Sequence, residues 1–168
     1  RVADHPDLDL VFATGDTMAG RRVSDVYPSF ATAYPDLVFT EYDAASVVGL
    51  DLVVLGLPHE ASVELVPTIV DHVGCVVDLS AAFRLKDPAH YPSYYGFEHA
   101  QPKLLAEAVF GLPELHRTEL ANARLIATPG CHVTAATLAL QPLLAAGLIE
   151  PLGMVVNTLT GITGAGRT

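Results

Sequence analysis

Asp51-Leu52-Val53-Val54-Leu55-Gly56-Leu57-Pro58-His59 is the stretch on which the fold turns. Residues 51–57 form a short apolar run closed by glycine and proline, the pattern of a buried strand. From Glu60 to His72 the period changes, with Val63, Val66 and Val70 near one helical face, and Cys75-Val76-Val77-Asp78-Leu79 then supplies another strand. Strand, helix and strand in succession imply a parallel sheet with helices on its faces, because parallel neighbours need a crossover between them.

Working outward, Leu8–Ala13 and Leu37–Tyr42 read as two earlier buried strands. From Arg84 to Arg117 the pattern loosens: Pro88, Pro92, Pro102 and Pro113 interrupt it, with Tyr91, Tyr94 and Tyr95 between them. A long ordered connection of this kind is usually functional. Arg124–Ala127 resumes as a strand, Cys131–Ala146 as an alanine-rich helix ended near Gly147, and Met154–Leu159 as a last strand before the glycine loop of residues 161–167. The domain boundary falls near Thr128, where the sheet hands over to the cysteine helix.

Apolar residues make up 51% of the 168 and charged residues 17%, which excludes disorder and points to a soluble globular chain. The formal net charge of -10, with no basic run against it, argues against nucleic acid or an anionic membrane as partner. No apolar segment approaches the roughly 20 residues of a membrane span. Cys75 and Cys131 cannot supply a disulfide framework or a four-thiolate zinc site, so a reducing cytoplasm is the simplest compartment. The seven histidines lack helical zinc spacing, and no metal site is expected. The chain opens without methionine and reaches its first strand within a few residues, which reads as a fragment.

Cys131 carries the chemistry. It stands in Ile126-Ala127-Thr128-Pro129-Gly130-Cys131-His132, where a strand breaks at Pro-Gly and a helix begins. Peptide N–H groups at a helix start favour thiolate over thiol, so the position suggests a nucleophile; the plainer alternative is a small buried residue. Cys75, inside a strand, reads as core packing. Leu57, Pro58 and His59 follow the carboxyl end of a strand, where open α/β sheets bind ligands, though the same residues would serve an ordinary strand-to-helix turn. In Asp78-Leu79-Ser80-Ala81-Ala82-Phe83-Arg84-Leu85-Lys86, Arg84 can clamp a phosphate or carboxylate, or simply pair with a neighbouring acid. His132 diverges from Cys131 around the helix axis and is not automatically its base. No dinucleotide fingerprint of alternating glycines occurs in the chain.

These pieces, with Tyr95-Gly96-Phe97-Glu98-His99 and Gly111-Leu112-Pro113-Glu114-Leu115, resemble the N-acetyl-gamma-glutamyl-phosphate reductases, the arginine-biosynthesis family related to aspartate-semialdehyde dehydrogenase. The resemblance implies an α/β fold: a Rossmann-like parallel-sheet domain over residues 1–128, lacking its N-terminal part, then the start of an α+β catalytic and dimerisation domain over 129–168. It implies NADPH-dependent reduction of an acyl phosphate to an aldehyde, with Cys131 forming a thioester and expelling inorganic phosphate. Arg84 and Ser80 become substrate-binding residues by the same likeness. Thr14, Gly15, Asp16, Leu57, Pro58, His59, Gly164 and Gly166 become cofactor-binding residues. The small-molecule acyl phosphate is the expected partner, in a cytoplasmic homo-oligomer.

The chain departs from the family pattern at Asp16, where an arginine is common; an acid there repels a 2′-phosphate and suits a bare ribose, so NAD stands beside NADP. It departs again at His132, where the family usually has an aromatic residue. The family's opening glycine loop is expected before Arg1 and its catalytic histidine after Thr168, so the isolated chain is expected to be inactive or to fail to hold cofactor tightly. Two other functions fit the same residues: the aminoadipyl-phosphate reductase of lysine biosynthesis, and a noncatalytic dinucleotide-binding or assembly module.

Overall fold

A computed structural model of the chain describes residues 2–161. The chain divides into two compact units between Val48 and Gly49. The first holds β1 (Ala13–Thr14), α1 (Val23–Val26) and β2 (Phe39–Thr40), with short 3-10 turns at Val2–Asp4, Pro28–Phe30 and Ala44–Val47. β1 and β2 pair in parallel, Ala13 opposite Phe39 and Thr14 opposite Thr40. Tyr27 packs edge-on against both Phe30 and Phe39, and Val23 and Val47 are buried.

The strand expected over Leu8–Ala13 is thus reduced to its last residue and the one after it. Leu8, Leu10 and Val11 are exposed, and nothing among the described residues pairs with their backbone as a ladder. Without a ladder partner or a buried face, an apolar run has no reason to stay extended. The same holds for Met154–Leu159, which forms no strand: Val155 and Leu159 stand almost wholly in solvent.

The second unit carries β3 (Leu52–Leu55), α2 (His59–Ile69), β4 (Cys75–Asp78), α3 (Tyr91–Tyr95), α4 (Pro102–Glu107), β5 (Val109–Phe110), α5 (Pro113–Leu120), β6 (Leu125–Ala127) and α6 (Cys131–Ala145). Its four strands run parallel in the order β3-β4-β6-β5. The parallel α/β expectation is therefore met. α2 buries Ser62, Val63, Val66 and Ile69 on the face that period predicted, and Val70 follows them into the core. Between α2 and β4 the chain turns at Gly74, where a Cβ would lie 2.6 Å from the Asp51 carbonyl oxygen. Only glycine allows that approach.

The loosened region is more regular than its prolines suggested. Pro88, Pro102 and Pro113 each open a helical turn, and Pro92 is the second residue of α3. At a helix start a missing N–H costs nothing, since that group has no intrahelical acceptor anyway. α6 runs to the expected end, where Gly147 takes a φ of 66°. None of its residues is buried.

Candidate active site

Parallel pairing brings the carboxyl ends of the strands into one row. Leu55 lies opposite Asp78, Asp78 opposite Ala127, and Ala127 opposite Phe110. The segments that leave this edge are Gly56–His59, Leu79–Leu85, Thr128–Cys131 and Gly111–Pro113. Such an edge is where an open α/β sheet holds its ligands. Leu57, Pro58, His59, Ser80, Arg84 and Cys131 are accordingly gathered at one end of the second unit.

The segment after β4 has no regular secondary structure, yet Ser80, Ala81, Ala82 and Phe83 are buried. Its backbone groups must therefore find partners elsewhere. Asp78, fully buried, accepts from the Ser80 N–H at 3.0 Å, from the Ser80 hydroxyl at 2.7 Å and from the Ser62 hydroxyl at 3.0 Å. Ser80 Oγ in turn accepts from the Ala82 N–H at 3.0 Å. His59 Nδ1 accepts from the Ala81 N–H at 3.1 Å, which leaves the proton of the neutral ring on Nε2. Ser80 is thus a turn-former, its hydroxyl engaged on both sides.

Arg84 emerges from this turn half-buried. Its Nε donates to the Thr128 carbonyl at 2.6 Å and its Nη2 to the Leu79 carbonyl at 3.0 Å, so the guanidinium bridges the exits of β4 and β6. Thr128 reinforces that bridge through its own N–H and hydroxyl, both 3.0 Å from the Asp78 carbonyl oxygen. A Cβ on Gly130 would stand 3.5 Å from Arg84 Nη1, so the remaining arm of the fork lies against the residue before Cys131. No carboxylate pairs with Arg84 among the described residues.

Cys131 is the exposed first residue of α6, after Gly130 in extended backbone with φ −69° and ψ 156°. His132 beside it is also exposed. Cys75 sits half-buried in β4, where burial pushes its thiol up, away from reactivity. Lys86, the second cation of the motif, turns away from this edge and donates its ammonium to the Leu105, Ala106 and Ala108 carbonyls at the end of α4. It neutralises a helix C-terminus instead of meeting a ligand.

Thr14, Gly15 and Asp16 leave β1 in the first unit. Gly15 donates its N–H to the Thr40 carbonyl at 3.1 Å, and a Cβ there would crowd Met18 at 3.1 Å and Phe39 at 3.3 Å. Thr14 and Asp16 are exposed. Gly164 and Gly166 lie outside the described residues. Among the described residues no group of three or more His, Cys, Asp or Glu side chains is placed to hold a metal ion, and no helix is long and apolar enough to cross a membrane.

Four residues of this edge were not expected as site residues from the sequence: Ser62, Tyr91, His99 and Thr128. Tyr91 OH accepts from the Leu85 N–H at 3.0 Å and donates to the Leu85 carbonyl at 3.3 Å. His99 Nε2 lies 2.7 Å from the Ala82 carbonyl oxygen. Tyr91, His99 and Thr128 bond to backbone atoms, 6, 17 and 50 positions away, and Ser62 to the Asp78 carboxylate 16 positions away, pairings that no local motif encodes.

Residues 1–123 match the family model for the semialdehyde dehydrogenase NAD binding domain, and residues 131–168 match that for the semialdehyde dehydrogenase dimerisation domain. The N-acetyl-gamma-glutamyl-phosphate reductase of Dehalococcoides mccartyi is 45% identical over 167 residues, covering 99% of this chain and 47% of the relative. That of Nitrosococcus oceani is 42% identical, covering 99% and 48%. A LysW-L-2-aminoadipate/LysW-L-glutamate phosphate reductase from Sulfurisphaera tokodaii is 42% identical, covering 98% and 47%. The chain spans about half the length of the curated relatives it matches.

Proposed function

The chain belongs to the semialdehyde dehydrogenase family, and from that premise we propose that its protein reduces N-acetyl-gamma-glutamyl phosphate to N-acetylglutamate semialdehyde in arginine biosynthesis, with Cys131 as nucleophile. The observation that carries the reading is the placement of an exposed cysteine at the start of α6, one residue beyond a glycine against the Arg84 guanidinium. A thiol there is open to solvent at the start of a helix, and the guanidinium beside the preceding residue can hold an anionic acyl group within its reach.

In this reading Cys131 Sγ attacks the acyl carbon, the carbon–oxygen bond to phosphate breaks, and inorganic phosphate departs with the bonding pair. Arg84 Nη1, left over after the two carbonyl bonds, faces the anionic substrate and fixes its orientation. Ser80 shapes the turn that presents Arg84. Once the thioester has been reduced to a hemithioacetal, the carbon–sulfur bond breaks, the hydroxyl proton is lost and the semialdehyde leaves Cys131.

The strand edge suits a nicotinamide dinucleotide. At Gly56 a Cβ would meet nothing within 4 Å, so open space stands over the backbone, and exposed Leu57 and Pro58 flank it. By the family likeness Leu57, Pro58 and His59 are cofactor-binding residues of the second unit, Thr14, Gly15 and Asp16 those that meet the adenosine ribose, and Gly164 and Gly166 match the family's later glycine loop near the cofactor. Bound there, the reduced cofactor supplies the hydride that takes the thioester to the aldehyde level. NADPH is the cofactor of the resembled family, while Asp16 favours NADH. Residues 1–128 serve as the nucleotide-binding domain and 129–168 begin the catalytic domain of a cytoplasmic homo-oligomer.

Cys131→Ser in the full-length protein is expected to lower reductase kcat by at least about a thousandfold, since an alcohol cannot replace the thiolate. Unchanged turnover removes Cys131 from the mechanism and leaves a noncatalytic binding module. The likeness to the Sulfurisphaera tokodaii reductase supports a second substrate, an aminoadipyl phosphate. The ratio of kcat/KM for the two acyl phosphates decides between them.

A further inference from the structure

We propose that His99 is a positioning residue for Arg84: through its bond to the Ala82 carbonyl and its contact with Phe83 it fixes the turn from which the guanidinium reaches across to Thr128. The catalytic consequence rests on the reading of the preceding subsection; the positioning itself does not.

Arg84 is bracketed. On its N-terminal side, His99 Nε2 lies 2.7 Å from the Ala82 carbonyl oxygen, and the Phe83 ring meets the imidazole edge-on with centroids 5.4 Å apart. On its C-terminal side, Tyr91 holds both polar backbone groups of Leu85 through its hydroxyl. The Tyr91 ring lies 4.5 Å from that of His99, so the two brackets are a single packed unit. Phe97 closes it, 5.3 Å from Tyr91 and 6.1 Å from His99.

The tautomer is determined by the other ring nitrogen. His99 Nδ1 accepts the Gln101 N–H at 3.1 Å, so the proton of the neutral ring is on Nε2, where it donates to Ala82. His99 is buried, and both its nitrogens are used on backbone groups of segments that have no helix or strand to hold them. Burial lowers its proton affinity, which keeps the ring in this donor–acceptor form. The groups that face it are the Tyr91 phenol, the rings of Phe83 and Phe97, the Ala82 carbonyl and the Gln101 N–H; no carboxylate or cation bonds to it among the described residues.

A histidine with two backbone partners can be mimicked by a glutamine, whose amide donates and accepts but takes up no proton at these pH values. Phenylalanine fills the ring space and makes neither bond. The readout is solvent exchange of the Arg84 Nε–H, observed by NMR on protein labelled with 15N-arginine and assigned by its loss in Arg84→Lys. His99→Phe is expected to speed that exchange about tenfold, the effect of losing one or two net hydrogen bonds of ordinary strength, and His99→Gln to restore it to within about threefold of wild type. Unchanged exchange in His99→Phe overturns the proposal, as does a folded His99→Gln that exchanges as fast as His99→Phe. Should the phenylalanine variant not fold, the glutamine variant decides alone: slow exchange supports the proposal and fast exchange overturns it. This readout needs no substrate, so a protein without reductase activity leaves it intact. With activity present, the KM for the acyl phosphate is expected to rise in His99→Phe and to recover in His99→Gln.

Discussion

The Ser62 hydroxyl on α2 donates to Asp78 Oδ1 at the end of β4 at 3.0 Å, and both residues are sealed from solvent. This pair ties the crossover helix to the strand edge at the level where the Ser80 turn begins. Asp78 completes its shell with the Ser80 N–H and hydroxyl.

Asp78→Asn is expected to destabilise the protein by about 2–3 kcal/mol, because the amide keeps only one accepting oxygen where the carboxylate uses two for three donors. Ser62→Ala removes one donor and leaves the carboxylate two, so its cost is expected to be smaller, about 1 kcal/mol. Urea unfolding midpoints check the order. An asparagine variant no less stable than the alanine variant would show that the carboxylate does not organise this turn.

Stability is expected to plateau at moderate pH and to fall on both sides for reasons traceable to two rings. Burial lowers His99 below its ordinary 6.5, so the unfolded chain takes up a proton first. Its contribution is whole above 6.5 and is lost as pH falls toward the folded value. Burial pushes Tyr91 from 10.0 up to about 12, so the unfolded chain loses its proton first, and the contribution is lost as pH rises across that interval. Unfolding midpoints measured against pH check this: His99→Gln should flatten the acid limb and Tyr91→Phe the alkaline limb, each relative to wild type.

Under the proposed function, Asp16→Arg is expected to shift the ratio of kcat/KM for NADPH over NADH upward on the order of tenfold in the full-length protein, since it replaces a charge that would repel a 2′-phosphate by one that would attract it. The variant is exposed in the first unit and should fold normally. An unchanged ratio would remove Asp16 from the adenosine-ribose site.

What the sequence made legible was governed by periodicity. The α2 face, β4 and β6 follow from apolar spacing, and the start of α6 at Cys131 from the Pro-Gly break before it. Leu8–Ala13 and Met154–Leu159 have the same apolar character, but a strand exists only where a second strand pairs with it, and pairing is not a local property. The prolines between 88 and 113 misled in the other direction, because a helix breaker inside a run is a helix starter at its first turn. His99 and Tyr91 were invisible as site residues: what they recognise is main chain, which has no letter in the sequence.

The turn that carries Arg84 obtains its order from residues on either side in sequence, His59 from 22 positions before Ala81 and His99 from 17 positions after Ala82. Such a turn cannot open by itself while its partners stay in place, nor persist once they leave. Its opening free energy is therefore tied to that of α2 and the aromatic cluster, and Arg84 belongs to the same cooperative unit as the core instead of to a fluctuating surface loop.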